Sequence, residues 1–570
     1  MSQSKLTQIR PPSVMIDLSI IIVSYKHLDY LRKCVKSVID TVKQVRYEII
    51  IVDNQSADGT PEVISAEFPN LRMIENDENL GFAKGNNQGI LASRGEFILM
   101  LNNDTEVLPN SIETLFKIND PKDYFYLKHF LNFTLFFIAA ILFYKLLFNR
   151  FSNQTVALTG TLFFVLSPRI YGNSFYNPKD IIFLSLLTMA FYFCFKLFDK
   201  MSYKNFLIFG LFCALATSQR MWGIFLPLSF IGFYFLSILS KKEDLNYFSG
   251  IAFFCISFFL FLIVFWPYLW SNPVVNFAEA FRFFSHNFAV SFKMLFNGEY
   301  ININFIPYSY IITWILITTP TLYIVLFLIG YFQIFKRFFL KFINIKNNQD
   351  YYDLWRGVNE KKDLFILFIL TCILFYLIAF NASIFTGWRH LYFINIFIIY
   401  IASHAFYRIN FILKSNFKKK ILLLFTSFYL IFIGYKMFIY HPYQNIYFNT
   451  LFNKMTKSIH KKFEIDYWGL SGKKFLENVL LLEKDKEQIY VASASFISLE
   501  RKKLLLDPKK RKKIKVVGQE YQKADYIYSN FTSEVDKKYN DKYKIPSNFK
   551  KINTFVLDNI VVYEVYKKNN

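Results

Sequence analysis

From residue 124 onward the chain carries one apolar run after another, at 124–148, 181–198, 205–217, 222–239, 248–266, 310–335, 364–380, 391–406 and 421–440, with a weaker segment at 156–166. Runs of about 20 residues match the hydrocarbon thickness of a bilayer, where a backbone must satisfy its own hydrogen bonds. The expectation is a polytopic α-helical membrane domain of about nine to ten helices over residues 120–440. Composition agrees, with 54% hydrophobic and 20% aromatic residues against the lower apolar share of soluble domains. A net charge of +24 does not signal nucleic acid, because Lys and Arg cluster between the apolar runs, as in cytoplasmic loops. The five cysteines, Cys34, Cys194, Cys213, Cys255 and Cys372, stand alone, so neither a disulfide framework nor a zinc spacing is expected. The first seventeen residues are polar, with Pro11 and Pro12, and do not read as a signal peptide.

Residues 1–119 have a different grammar. Short isoleucine-rich runs at 18–23 and 47–52 read as buried parallel strands, with further strands at 71–74 and 96–101, an amphipathic helix at 28–40 and a helix starting near Ala83. Alternating strands and helices predict an open parallel sheet. Ligands sit at the carboxyl ends of such strands, where Ser24, Tyr25, Asp53, Asn102 and Asp104 fall. One carboxylate there can accept hydrogen bonds from a base or ribose and another can hold a divalent cation against a diphosphate; alternatively these Asp and Asn residues terminate strands as turn formers.

The segments SIIIVSYKHLDYLRKCVKSV, IIIVDNQSADGT, NLGFAKGNNQGI and ILMLNNDTEV resemble the opening half of family 2 glycosyltransferases, near the rhamnosyltransferase-like branch, with a Rossmann-like GT-A fold. The resemblance implies that Asp53 contacts the base of a nucleoside diphosphate sugar, and that Asp104 supports the diphosphate through Mg²⁺ or Mn²⁺. It covers about 100 residues, and the family's acceptor half and catalytic base should follow the fourth strand, where the membrane runs begin.

Lys and Arg counts orient those runs. One set of alternate loops (Arg150; Lys196, Lys200, Lys204; Lys241, Lys242; 336–362; 408–420) carries about 18, the other (168–180, Arg220, 268–308, 381–390) about 6. The first set is expected in the cytoplasm and the second, with the C-terminal part, outside. The exterior segments hold Arg169, Asn173, Tyr176, Asn177, Lys179, Asp180, Arg389 and His390, ionisable groups that at membrane depth face a cavity or a partner. Arg220 reads as a snorkelling anchor or a phosphate ligand, His390 as a packing residue, and Trp266 with Tyr268 as an interfacial belt.

SPRIYGNSFYNPKDIIFLSLL, FWPYLWSNPVVNF, TGWRHLYF and HPYQNIYFN with DYWGLSGK resemble the family 39 group of GT-C glycosyltransferases, dolichyl-phosphate-mannose-protein mannosyltransferase-like. The resemblance implies transfer from a polyprenyl-phosphate sugar on the exterior face, with no cofactor. Residues 124–148 match the second span of that family, so its base carboxylate, in the loop after the first span, has no counterpart. Asn177, Asp180, Arg220, Arg389, His390 and His441 are the cavity candidates. A second-span match brings the chain in from outside; if 156–166 does not cross, the first run instead leads outward and residues 1–119 stay cytoplasmic.

After residue 440, strands expected at 488–494, 513–517 and 525–528 and a hairpin at 554–565 turning at Asp558-Asn559 predict a small α/β domain over 441–570. Its basic run 509–515 reads as a solvated face or a lipid-headgroup contact. The sequence therefore predicts a GT-A-like fragment, a GT-C-like membrane domain and a small C-terminal domain. The expected function is sugar transfer in cell-envelope glycan or glycolipid synthesis from a nucleotide or polyprenyl-phosphate donor, in a multi-pass protein of a bacterial inner membrane. The alternatives are a non-catalytic nucleotide-sugar-binding membrane protein and an inactive fusion.

Overall fold

The computed structural model describes residues 16–116, 120–239, 248–285, 293–343, 355–379, 384–532 and 541–569. Pro11, Pro12, Lys241 and Lys242 lie outside the described residues. The chain forms two compact units, Met1–Tyr124 and Phe125–Asn570.

In the first unit four parallel strands, β1 (Leu18–Ser24), β2 (Tyr47–Asp53), β3 (Arg72–Glu75) and β4 (Phe97–Asn102), lie in the order β3-β2-β1-β4. Ile20, Ile21 and Ile22 of β1 and Ile50 and Ile51 of β2 are fully buried, which is why continuous rather than alternating apolar runs mark them; each contributes about 1.5–3 kcal/mol relative to exposure. Helix α1 (Leu28–Thr41) lays Leu31, Cys34, Val35 and Val38 on the sheet. Between β2 and β3 runs α2 (Thr60–Glu67), absent from the sequence expectation; Pro61 in its first turn is preset for a helix start. Helices α3 (Gly81–Ala92) and α4 (Ser111–Phe116) flank β4 in sequence.

The second unit opens with α5 (Pro121–Phe151), α6 (Gln154–Val165), α7 (Pro168–Tyr176), α8 (Asp180–Asp199), α9 (Tyr203–Gln219), α10 (Phe225–Leu239), α11 (Phe248–Phe265) and α12 (Pro273–Ser285). A short hairpin, β5 (Lys293–Phe296) and β6 (Glu299–Asn302), precedes α13 (Ser309–Thr318), α14 (Thr321–Ile343), α15 (Val358–Ala379), α16 (Ile394–Ile412) and α17 (Asn416–Tyr440). Among the described residues seven helices are long and apolar enough to cross a membrane, and α6 and α13 are shorter apolar helices. This is a multi-pass membrane architecture. Two expectations are corrected. Residues 310–335 form two helices, not one: Pro320 disfavours a helical residue before it, and Thr319 is extended. Residues 168–176, read as loop, are α7, with Pro168 at its first position.

Charged residues mark one end of the bundle. Arg150, closing α5, donates from Nε to Asp363 Oδ1 at 2.8 Å; Tyr400 OH donates to the same oxygen at 2.7 Å; Lys362 Nζ reaches Asp199 at 2.5 Å. The start of α5 (Phe125, Lys128, His129) lines a cavity together with the start of α8 and the ends of α9 and α15. Helix α5 therefore runs from the cavity end to the Arg150 end. Segment 156–166 is α6, whose 12 residues span roughly 18 Å; it carries the chain back to the cavity end. The segment is covered by its neighbours along its length: Val156, Ala157, Phe163 and Phe164 are fully buried.

Within the same unit a C-terminal sheet has strands β7 (Ile489–Ser493), β8 (Ile514–Val516), β9 (Tyr526–Ser529), β10 (Phe549–Leu557) and β11 (Ile560–Lys568), ordered β10-β11-β9-β7-β8. The turn at Asp558-Asn559 forms, both residues at positive φ, as a tight hairpin requires. Its tip is docked: Lys436 Nζ and Tyr440 OH of α17 reach the Asp558 carboxylate at 2.9 and 3.0 Å, and Asn453 donates to the Asp558 carbonyl at 2.8 Å.

Candidate functional site

In the first unit, parallel register brings Ser24 opposite Asp53 and Val23 opposite Asn102, so the expected residues meet along one sheet edge. Asp53 is buried, its carboxylate accepting from the Ser56 N–H at 2.8 Å and from the Ser56 hydroxyl. Ser56 Oγ also accepts from the Lys26 N–H at 2.8 Å, tying the loop after β1 to the loop after β2. Asn54 is held by Asn76 at 2.9 Å. Tyr25 and Asp104 are exposed, and Lys26 stands 5.2 Å from the Tyr25 ring. Among the described residues no three His, Cys, Asp or Glu side chains converge as a metal group. Asp104 alone thus fits a cation that takes its other ligands from phosphate oxygens and water, as Mg²⁺ does on nucleotides.

The second unit holds a cavity of about 1330 Å³ at the end where α5 begins. Six cations line it, Lys128, Lys179, Arg220, Arg389, Arg501 and Lys502, against two carboxylates among the described residues, Asp180 and Glu279. Two glycines shape it. A Cβ on Gly223 would stand 2.5 Å from the Thr217 backbone nitrogen, so only glycine lets the turn Met221–Ile224 fold against the end of α9. That fold leaves Arg220 extended and ion-paired to Asp180. Gly387, at φ +70°, receives a 3.1 Å bond to its environment by donating its N–H to Tyr310 OH, and the turn sends Trp388 into the core and Arg389 into the cavity.

A hydrogen-bond chain links these parts. Trp468 Nε1 donates to Asn173 Oδ1 at 3.2 Å, Asn177 Nδ2 to the same oxygen at 3.1 Å and to Asp180 Oδ2 at 2.8 Å. Arg389 packs 5.1 Å from the Trp468 ring and 5.4 Å from Phe385. It has no carboxylate within ion-pair distance among the described residues, and its buried Nε has no partner there. A buried donor without a partner marks a place for a ligand acceptor. Burial, then the charges of Arg389, Arg220 and Lys179, hold His390 well below the usual imidazole range. Its ring lies edge-on to Phe385 at 4.6 Å.

Of the cavity candidates, Asn177, Asp180, Arg220, Arg389 and His390 come together. His441 does not: it is exposed after α17, its Nδ1 3.2 Å from Gln444. Arg169, expected at the surface, is buried, donating to the Tyr447 carbonyl at 2.9 Å and packed on Trp314 and Phe448. Trp266 and Tyr268, read as a belt, line the cavity. Sequence reasoning missed Lys128, His129, Glu279, Arg501 and Lys502. The adjacent Lys128-His129 pair inside an apolar run was the available signal; nothing in sequence joins Arg501 to a site three hundred residues upstream.

Residues 19–132 match the model of Glycosyl transferase family 2 and residues 129–270 that of Dolichyl-phosphate-mannose-protein mannosyltransferase. Two adjoining segments of the chain thus match two glycosyltransferase family models, one each. Similar curated proteins include the succinoglycan biosynthesis protein ExoO of Rhizobium meliloti, 30% identical over 113 residues (19% of this chain, 32% of that one). The glycosyltransferase GlyG of Streptococcus pneumoniae is 31% identical over 109 residues (19% and 36%). A dolichyl-phosphate beta-glucosyltransferase of Trichomonas vaginalis is 34% identical over 102 residues (16% and 32%). The chain spans about a third of the length of these relatives. Among solved structures, a mannosyltransferase from Pyrobaculum calidifontis in complex with GDP-Man and Mn²⁺ is 20% identical over 20% of this chain and 37% of that one, with a TM-score of 0.18.

Proposed function

We propose that the second unit transfers a sugar from a polyprenyl-phosphate donor to a hydroxyl acceptor in cell-envelope glycan or glycolipid synthesis. The observation that carries this reading is the cation-lined cavity at one end of the helical bundle, with Arg389 Nε unpartnered among the described residues. A phosphodiester needs no metal where guanidinium groups meet it directly. Arg389 and Arg220 hold the donor phosphate and take up the charge that collects there as the glycosidic oxygen leaves. Trp468, its indole fixed by Asn173, offers a face for the sugar. Asn177, Asp180, Arg220, Glu279, Arg389 and His390 of the lining come from the Lys-poor and Arg-poor loops, which supports an exterior cavity, where lipid-linked rather than nucleotide-linked sugars are the donors. Purified protein in vesicles, given radiolabelled polyprenyl-phosphate and nucleotide hexoses, is expected to turn over the former; absence of that turnover overturns the reading.

For the first unit a second reading, nucleotide-sugar binding without turnover, is favoured by the direction of α5. The chain enters the helical unit at the cavity end, and on the reading of that end as exterior the first unit meets no cytoplasmic nucleotide-sugar pool. Asp53 and Asp104 remain the binding groups, with Mg²⁺ or Mn²⁺ neutralising diphosphate charge at Asp104 when bound. Native Cys34 is a poor reporter of side, since it is 1% exposed and burial pushes its thiol up to about 12. A cysteine at exposed Ser65 is expected to react with an impermeant maleimide in intact cells; protection until lysis places this unit in the cytoplasm instead.

A further inference from the structure

Transfer to a hydroxyl requires a group that takes the hydroxyl proton, and the proposed reaction gives no residue that role. Two carboxylates line the cavity among the described residues, and they differ in what they have left to offer. Asp180 is buried and spent: Oδ1 is paired with Arg220, Oδ2 accepts from Asn177, and its N–H donates to Asn177 Oδ1 at 3.1 Å. Both oxygens of that carboxylate are thus engaged within the protein, and neither is left to face an acceptor.

Glu279 is the opposite case. It stands exposed on α12 with no cation within ion-pair distance among the described residues, and Oε2 accepts from Tyr268 OH at 2.9 Å. Oε1 is left open. One turn earlier on the same helix face, Asn276 Nδ2 donates to the Tyr268 carbonyl at 2.5 Å and to Ser271 Oγ at 3.1 Å. The helix and the Tyr268 segment are thus tied to each other at two successive turns, which fixes the orientation of the Glu279 carboxylate. His390 is the rival proton acceptor, but burial, and then the positive charge of Arg389, Arg220 and Lys179, oppose its protonation.

Resting on the polyprenyl-phosphate reading above, we infer that Glu279 is the base that activates the acceptor hydroxyl, held in place by Tyr268. Oε1 takes the hydroxyl proton, the hydroxyl oxygen forms its bond to the anomeric carbon, and the bond from that carbon to the phosphate oxygen breaks with its electron pair staying on the phosphate. A donor is consumed, a glycoside and a polyprenyl phosphate are formed, and no oxidant or metal is needed.

The test uses full-length protein in vesicles with C55 polyprenyl-phosphate mannose, glucose and galactose, scoring donor binding and release of polyprenyl phosphate separately. Glu279→Gln is expected to lower kcat at least about 100-fold with donor binding unchanged, Glu279→Asp to recover part of it, and the acid limb of the pH–rate profile to disappear from the residual activity of Glu279→Gln. Wild-type turnover with Glu279→Gln within about threefold of it, or with His390→Asn as the variant that abolishes turnover instead, overturns the assignment while leaving the transferase reading intact. No wild-type turnover of any of the three donors overturns both.

Discussion

The two candidate sites meet the same problem, a phosphate-linked sugar, with opposite chemistry. At the strand ends of the first unit the prominent groups are carboxylates, Asp53 and Asp104, so a diphosphate can approach only through a cation that bridges like charges. In the cavity the prominent groups are Arg and Lys, and an anion binds without an intermediary. On the proposed readings, the difference teaches that one chain would recognise phosphate twice with no shared machinery, metal dependence separating the two.

The sharpest way to break the comparison is Arg389→Ala. It should reduce transfer from polyprenyl-phosphate donors by about 100-fold or more, measured as radiolabel released, while nucleotide binding by the first unit stays unchanged. Equal loss at both sites would mean a general folding defect. Next comes metal removal. EDTA, or Asp104→Ala, should weaken nucleoside diphosphate binding by about tenfold or more in calorimetry and leave binding of polyprenyl-phosphate sugar to the cavity unaltered. A smaller effect follows from Lys436→Met, which removes the cation docked on Asp558. A loss of about 1–3 kcal/mol should appear as a lower melting temperature and weaker donor binding in the cavity, with the Asp104 site untouched.

The smallest effect is a pH term. Burial pushes the half-buried Glu464 carboxyl up to about 7, while the Leu295 N–H and the charge of Arg389 pull it down. Its folded pKa lies above its unfolded one, so it contributes stability that is complete below the ordinary carboxylate range and is lost as pH rises through 7. Thermal midpoints should therefore fall between pH 5 and 8 by more in the wild type than in Glu464→Gln, and equal slopes would remove Glu464 from this role.

Much of the first unit was legible because β1 and β2 are buried on both faces, and a run such as residues 18–23 has one physical explanation. The ends of β1, β2 and β4 followed, and with them the candidate residues. Helix α2 was not legible: its exposed polar positions and short length give no strong period. In the second unit hydropathy located the spans but not their breaks, as Pro320 illustrates, nor which charges meet. The pairing of Arg220 with Asp180 depends on the close approach at Gly223, and Glu279 lies within an amphipathic helix whose cavity neighbours come from distant segments. Of the loop set poor in Lys and Arg, Asn177, Asp180, Arg220, Glu279, Arg389 and His390 do meet in the cavity.

Helix α6 has a consequence for how the protein is made. At roughly 18 Å it is far shorter than a hydrocarbon core of about 30 Å, and its partners arrive late in synthesis. Phe163 packs in a tilted arrangement on Tyr323 of α14, ring centroids 4.5 Å apart, and Gly160 lies close against Ser403 of α16. When α6 leaves the ribosome, neither partner exists. With only α5 to pack on, through Phe136, Phe143 and Leu147, the segment stays incompletely covered until some 240 further residues have been polymerised. Its final seating is an event of late assembly, and a chain truncated before α16 should leave α6 accessible to protease while α5 is already inserted.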